Sequence, residues 1–210
     1  HTHYKDMKKA IQNLSPAKPM IWGIDPGNEV CGVAQLLDKR IGHCFNEPSG
    51  SVYDRILSLS GGKSFTVVIE DVYPYSMRLT PQIIATCKVI GELGFRFSTC
   101  PSVQSLIFTP RNSVKKWIFD TVPDVVLPRI DKKMASLHAR KLKLGLRGLV
   151  KKDGEMRTAS FHFVDDRTVI AALKSIYGIP TPKPGKPNIY GLVDHSWQAL
   201  AVAGHHSSVL

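Results

Sequence analysis

Short apolar runs punctuated by turn residues fill the first seventy positions of the chain, and this pattern predicts strands before helices. Pro19 to Asp25 ("PMIWGID") is one such run, Cys31 to Leu37 ("CGVAQLL") a second, and Arg40 to Phe45 ("RIGHCF"), beyond the turn at Asp38-Lys39, a third. Together they read as a three-strand meander. Ser51 to Leu59 has helical spacing before the Gly61-Gly62 break, and Ser64 to Asp71 ("SFTVVIED") is a fourth strand that, like the first, ends in acid.

Thr80-Pro81 is a helix opening, with Thr as N-cap and Pro at the first helical position. Ile83, Ile84, Cys87, Ile90 and Gly91 continue it to Gly94, the expected C-terminal stop. Phe95 to Cys100 ("FRFSTC") is then expected as a fifth strand and Arg111 to Phe119 as a basic, amphipathic helix. From Asp120 to Phe163 the pattern loosens into a lysine- and arginine-rich stretch that reads as a solvated face or an arm. Val164 to Gly178 is a further helix, a proline-rich connection follows, and Asp194 is expected to cap a last helix starting at His195. Strands first, then strands alternating with helices, predict one α/β domain with a mixed sheet over residues 19–210, preceded by a lead-in at 1–18 and carrying a basic insertion at about 120–163.

The composition, with 43% hydrophobic residues in 210, is that of a globular chain, and a net charge of +11 makes a polyanion the first partner to consider. No apolar stretch approaches the ~20 residues of a spanning helix, and the polar, basic first twenty residues hold no signal-peptide core, so no membrane partner is expected. Cys31, Cys44, Cys87 and Cys100 form no CxxC pair and no cysteine-histidine zinc spacing. They are expected as buried, reduced thiols of a cytoplasmic protein, nucleoid-associated or in a host cytoplasm if the source is a phage.

The acids change the picture. Asp25 ends the first strand, Glu70 and Asp71 the fourth, and Asp194 with His195 opens the last helix. Taken singly, Asp25 in Asp-Pro-Gly is a turn signature, Asp194 a helix cap and His195 a helix-start residue, whereas Glu70 closing "TVVIE" has no such role. If strands one and four are neighbours, Asp25 and Glu70 stand side by side. Paired carboxylates stay ionised most simply around a shared divalent cation, and oxygen donors favour Mg²⁺ or Mn²⁺. In a basic protein the substrate that fits is a phosphodiester, which two ions about 4 Å apart can hydrolyse.

"GIDPGNEVCGVA" resembles the first-strand motif of RuvC-type Holliday junction resolvases. "VVIEDVYPY" resembles the strand ending in that family's second catalytic acid, "RNSVKKW" its basic segment and "DHSWQALAVAGHH" its closing acidic helix. The resemblance covers roughly Pro19 to Lys116 and Asp165 to His206, and implies a ribonuclease H-like fold with a five-stranded mixed sheet flanked by helices. It further implies a homodimeric, divalent-metal-dependent endonuclease that makes paired symmetric nicks in four-way DNA junctions. Asp25 and Glu70 fall on the first two metal ligands. Anchoring on Ala199-Leu200-Ala201 places His195 and Gln198 on the two acidic positions of the last helix, so His195, or Asp194 in a shifted register, is expected to complete the metal site. Lys115 matches a lysine near the scissile phosphate, and Tyr73, with Tyr75, an aromatic position that stacks on an opened junction.

Arg111, Lys115 and Lys116 are further DNA contacts by the same resemblance. An arm bearing Lys132, Lys133, Arg140, Lys141, Lys143, Arg147, Lys151 and Lys152 replaces the family's short glycine-rich loop and is expected to grip junction arms through phosphates. Gln198 carries no charge, which leaves a branched-DNA-binding protein with an impaired site as the alternative. "GIDPG" also resembles the phosphate-binding turn of actin-like kinases and ATPases, but their second lobe and glycine-rich adenosine motifs have no counterpart in this sequence.

Overall fold

The computed structural model describes residues 20–72, 79–143, 164–181 and 190–209, and in the helix that ends at residue 143 it describes side chains only as far as residue 137. Five strands, β1 (Met20–Asp25), β2 (Val30–Leu37), β3 (Arg40–Pro48), β4 (Phe65–Asp71) and β5 (Val103–Pro110), form one sheet in the order β3-β2-β1-β4-β5. The first three make the antiparallel meander, and β4 and β5 run parallel to β1. Among the described residues the helices are α1 (Val52–Ser60), α2 (Pro81–Ser98), α3 (Arg111–Thr121), α4 (Pro123–Lys143), α5 (Asp166–Tyr177) and α6 (His195–Val209). This is the α/β architecture expected from the sequence, a five-stranded mixed sheet flanked by helices.

Strand alternation divides the core between the two faces of the sheet. Met20, Trp22 and Ile24 of β1 and Phe65, Val67 and Ile69 of β4 pack with Val52 and Ile56 of α1 and Ile90, Leu93 and Phe97 of α2. Ile21 and Val68 face the other way, onto a larger cluster built with α3 to α6. By the same alternation Asp25 and Glu70, last or nearly last in their strands, belong to that second face.

Helix α6 lies across β1 and β2 and is buried along Ala199 to Gly204. Its run of small residues follows from that position: a Cβ on Gly23 of β1 would fall 2.2 Å from the Ala199 carbonyl oxygen, so strand and helix backbones nearly touch. A helix enclosed on every side needs no polar face.

Three elements depart from the sequence reading. The helix opened by Thr80, whose Oγ1 accepts from the Ile83 amide, continues through Gly94 to Ser98, so Phe95 to Ser98 are helical and not a strand. Gly94 is a contact point rather than a stop, since a Cβ there would meet the Phe108 ring at 2.9 Å. The fifth strand is Val103–Pro110 instead. The loosened stretch after Asp120 begins as the 21-residue helix α4, with Val126, Ile130 and Met134 buried at four-residue intervals despite Pro128 inside it. Cys31, Cys44 and Cys100 are buried and Cys87 is exposed, and all four are free thiols. Among the described residues no helix is long and apolar enough to cross a membrane.

Candidate active site

Parallel pairing of β1 with β4 sets Ile24 opposite Ile69, which brings the next residues, Asp25 and Glu70, to one edge of the sheet. Both acids are buried, at 3% and 1% exposure. Pro26-Gly27 turns the chain away immediately, and Ser49 Oγ donates to the Gly27 carbonyl at 2.9 Å, tying this turn to the end of β3.

His195, the first residue of α6, places Nδ1 2.8 Å from Asp25 Oδ2. A carboxylate only accepts, so Nδ1 carries the proton and Nε2 is left with its lone pair in the neutral ring. The bond to Asp25 raises the imidazole pKa, more than burial lowers it. Two neighbours seat this histidine. Gly32 of β2 lets the helix in, since a Cβ there would fall 2.2 Å from the His195 carbonyl carbon and oxygen. Asn46 of β3 accepts the Ser196 amide on Oδ1 at 3.1 Å, while Ser196 Oγ accepts the Val193 amide at 2.8 Å. Asn46 thus supplies the side-chain cap expected from Asp194. Asp194 is exposed with a positive φ of 36°, its carbonyl accepts the Trp197 amide, and its side chain lines the adjoining cleft.

Arg111, at the start of α3, enters between the acids. Its Nε donates to Glu70 Oε1 at 3.2 Å and lies 3.2 Å from Oε2, and one terminal nitrogen is 3.8 Å from Asp25 Oδ1. Glu70 Oε2 is nevertheless buried without a hydrogen bond. Burial pushes the Glu70 carboxyl up to about 7, Arg111 opposing and Asp25 reinforcing the shift. Lys115, one turn along α3, is half-buried, and burial followed by the Arg111 charge lowers its pKa.

These groups line one cavity of about 640 Å³, walled by Asp25, Glu70, Arg111, Lys115 and His195 and, from α2, by Gln82, Ile83 and Thr86. Gln198, one turn after His195, donates from Nε2 to Asp166 Oδ1 at 2.9 Å, and both line the adjoining cleft with Asp25, Arg111 and His195. Asp166 was not anticipated from sequence. The only signal for it is the Asp165-Asp166 pair, of which Asp165 is consumed as the N-cap of α5.

Of the other expected DNA contacts, Lys116 is exposed and paired with Asp120, and Lys132 is exposed. Lys133 is held by Asp165 at 3.0 Å. Tyr73, Tyr75, Arg147, Lys151 and Lys152 lie outside the described residues, as do the side chains of Arg140, Lys141 and Lys143.

A divalent ion fits the donors by chemistry: two carboxylates, one with a buried oxygen lacking a hydrogen bond, and an imidazole already held by a carboxylate. Among the described residues, no three His, Cys, Asp or Glu side chains are gathered as a metal-holding group in this arrangement, in which Arg111 contacts both acids.

No family model matches the chain, and no curated protein matches it. Solved structures do. The chain is similar to Thermus thermophilus RuvC in complex with a Holliday junction substrate, at 14% identity and a TM-score of 0.47 over 90% of this chain and 92% of that one. A second Thermus thermophilus RuvC structure gives 15% and 0.45 over 90% and 93%. The yeast mitochondrial Holliday junction resolvase Ydc2 gives 11% and 0.40 over 91% and 81%.

Proposed function

We propose that this protein is a divalent-metal-dependent endonuclease that resolves four-way DNA junctions. The observation that supports it most is the pair of buried carboxylates, Asp25 and Glu70, side by side at one sheet edge with His195 bonded to the first. Two acids isolated from water are expensive to keep for stability alone. They open on a cavity that the basic start of α3 also lines, and the net charge of +11 suits a nucleic acid.

Asp25 and Glu70 would hold Mg²⁺ or Mn²⁺, with His195 as the nitrogen donor. When bound, such ions supply activated water and neutralise charge on the leaving oxygen. The Asp25 bond to Nδ1–H fixes the ring orientation and tautomer. Lys115 meets the phosphate and stabilises charge developing there. Asp166, steadied by Gln198, adds a negative charge beside the helix that carries an amide at that position.

Symmetric cutting needs two copies, and α2 offers a surface for a second one. Ile84 and Phe95 are 45% and 71% exposed on the helix face that also presents Cys87 and Gly91, with open space around Gly91. Phe95→Asp is expected to turn a dimer into a monomer in light scattering while the far-ultraviolet circular dichroism stays unchanged. A variant that remains dimeric places the interface elsewhere.

The direct test is incubation with an end-labelled mobile four-way junction and a matched linear duplex, each with Mg²⁺ or Mn²⁺. Paired symmetric nicks on the junction alone are expected. Tight junction binding without cleavage under either metal would favour the second reading, a branched-DNA-binding protein, to which Gln198 and the placement of Arg111 between the acids already lend weight.

A further inference from the structure

The contact of Arg111 with both acids carries a consequence for how the site is loaded. Its Nε is 3.2 Å from each Glu70 oxygen and its terminal nitrogen 3.8 Å from Asp25 Oδ1. A divalent ion bound by the same oxygens would sit about 2.1 Å from them. Guanidinium and ion would then occupy overlapping space as like charges, so the two cannot be held together. The side chain is also free to leave: Arg111 is half-exposed, at the first position of α3, and lines both the main cavity and the adjoining cleft that contains Asp166.

We infer that Arg111 is a built-in counter-cation of the acid pair, which holds Asp25 and Glu70 together in the metal-free protein and is displaced when a divalent ion binds. This rests on the nuclease reading. In it Arg111 is a positioning residue for the acids and a competitor for their metal. Guanidinium chemistry suits this use, because its planar fork reaches two carboxylates at once and keeps its charge at any working pH. Displacement leaves the cation near Lys115, on the wall where a phosphate would lie, so an anionic substrate would favour the exchange.

The test is Mn²⁺ titration of the DNA-free protein at pH 8, with free Mn²⁺ read by its paramagnetic resonance signal and folding checked by circular dichroism. Arg111→Gln is expected to tighten Mn²⁺ binding roughly tenfold, the scale on which a nearby like charge acts. Arg111→Lys, which keeps the charge without the fork, is expected between wild type and Arg111→Gln. Lys115→Gln, which removes a neighbouring cation not seen in contact with either carboxylate, is expected to change the affinity less than twofold. Equal affinities in wild type and Arg111→Gln overturn the inference and leave the nuclease reading standing. An equal gain in Lys115→Gln also overturns it, since overall charge would then account for the effect. No Mn²⁺ binding in any of the proteins overturns both.

Discussion

Glu70→Gln is expected to abolish junction cleavage and, in the same protein without metal, to raise stability at pH 8. Loss of a carboxylate that would hold the metal should reduce cleavage by at least about a hundredfold to a thousandfold, the range found when one preorganised charge contact is removed. The stability gain follows from the buried carboxyl. Its pKa rises from 4.5 to about 7 on folding, so between those values the folded chain holds a proton that the unfolded chain has released. Stability contributed by that proton is complete below pH 4.5 and is lost as pH rises through 7. His195, whose pKa is also raised, acts in the same sense, its contribution being present below 6.5 and lost through its higher folded value.

The metal-free wild type should therefore lose melting temperature steadily from pH 5 to pH 8. A neutral glutamine removes the Glu70 share of that slope, worth on the order of 2–3 kcal/mol at pH 8. Melting curves in chelator at both pH values decide it: a variant no more stable than wild type at pH 8, or equally advantaged at pH 5, contradicts the account.

Gly32→Ala should be among the most damaging single methyls for the site. The added Cβ would meet backbone atoms of His195 at 2.2 Å and the Ser196 nitrogen at 2.7 Å, and backbone cannot step aside as a flexible side chain can. The start of α6 must move off β2, breaking the Asn46 cap and the bond from His195 to Asp25. The expected cost is roughly 3 kcal/mol in urea denaturation, at the upper end for overpacked positions. The His195 imidazole pKa, followed by nuclear magnetic resonance, should fall back toward its ordinary value. Gly50→Ala, with nothing within 4 Å of the new methyl, serves as the control and should be neutral. An unchanged His195 pKa in Gly32→Ala would show that α6 accommodates the methyl without leaving Asp25.

Residues 20–71 were legible in the sequence because local signals agree there. The meander, the break at Gly61-Gly62 and the acid-terminated strands are set by alternation and turn chemistry, and the adjacency of Asp25 and Glu70 needed only the pairing of β1 with β4. The extension of α2 through Gly94 was not legible, because a glycine chosen to admit the Phe108 ring looks the same in sequence as one that ends a helix. Helix α4 was masked by Pro128 and by its basic residues, although Val126, Ile130 and Met134 carried the right period. The partners of the site were beyond reach for another reason. Arg111 on Glu70, Gln198 on Asp166 and Asn46 on Ser196 join positions 41, 32 and 150 residues apart, and no local pattern encodes which distant side chain completes a charge or a cap.

The enclosure of α6 between the sheet and the neighbouring helices ties the site to the whole domain. Its central amides are shielded by the core, so their exchange with solvent hydrogen should need global opening rather than local fraying. His195 is thus anchored at the start of a helix whose centre is buried on every side, instead of on a loop. Denaturant should take the geometry at Asp25 and the fold in one transition, with no intermediate state in which the core survives and the histidine has let go.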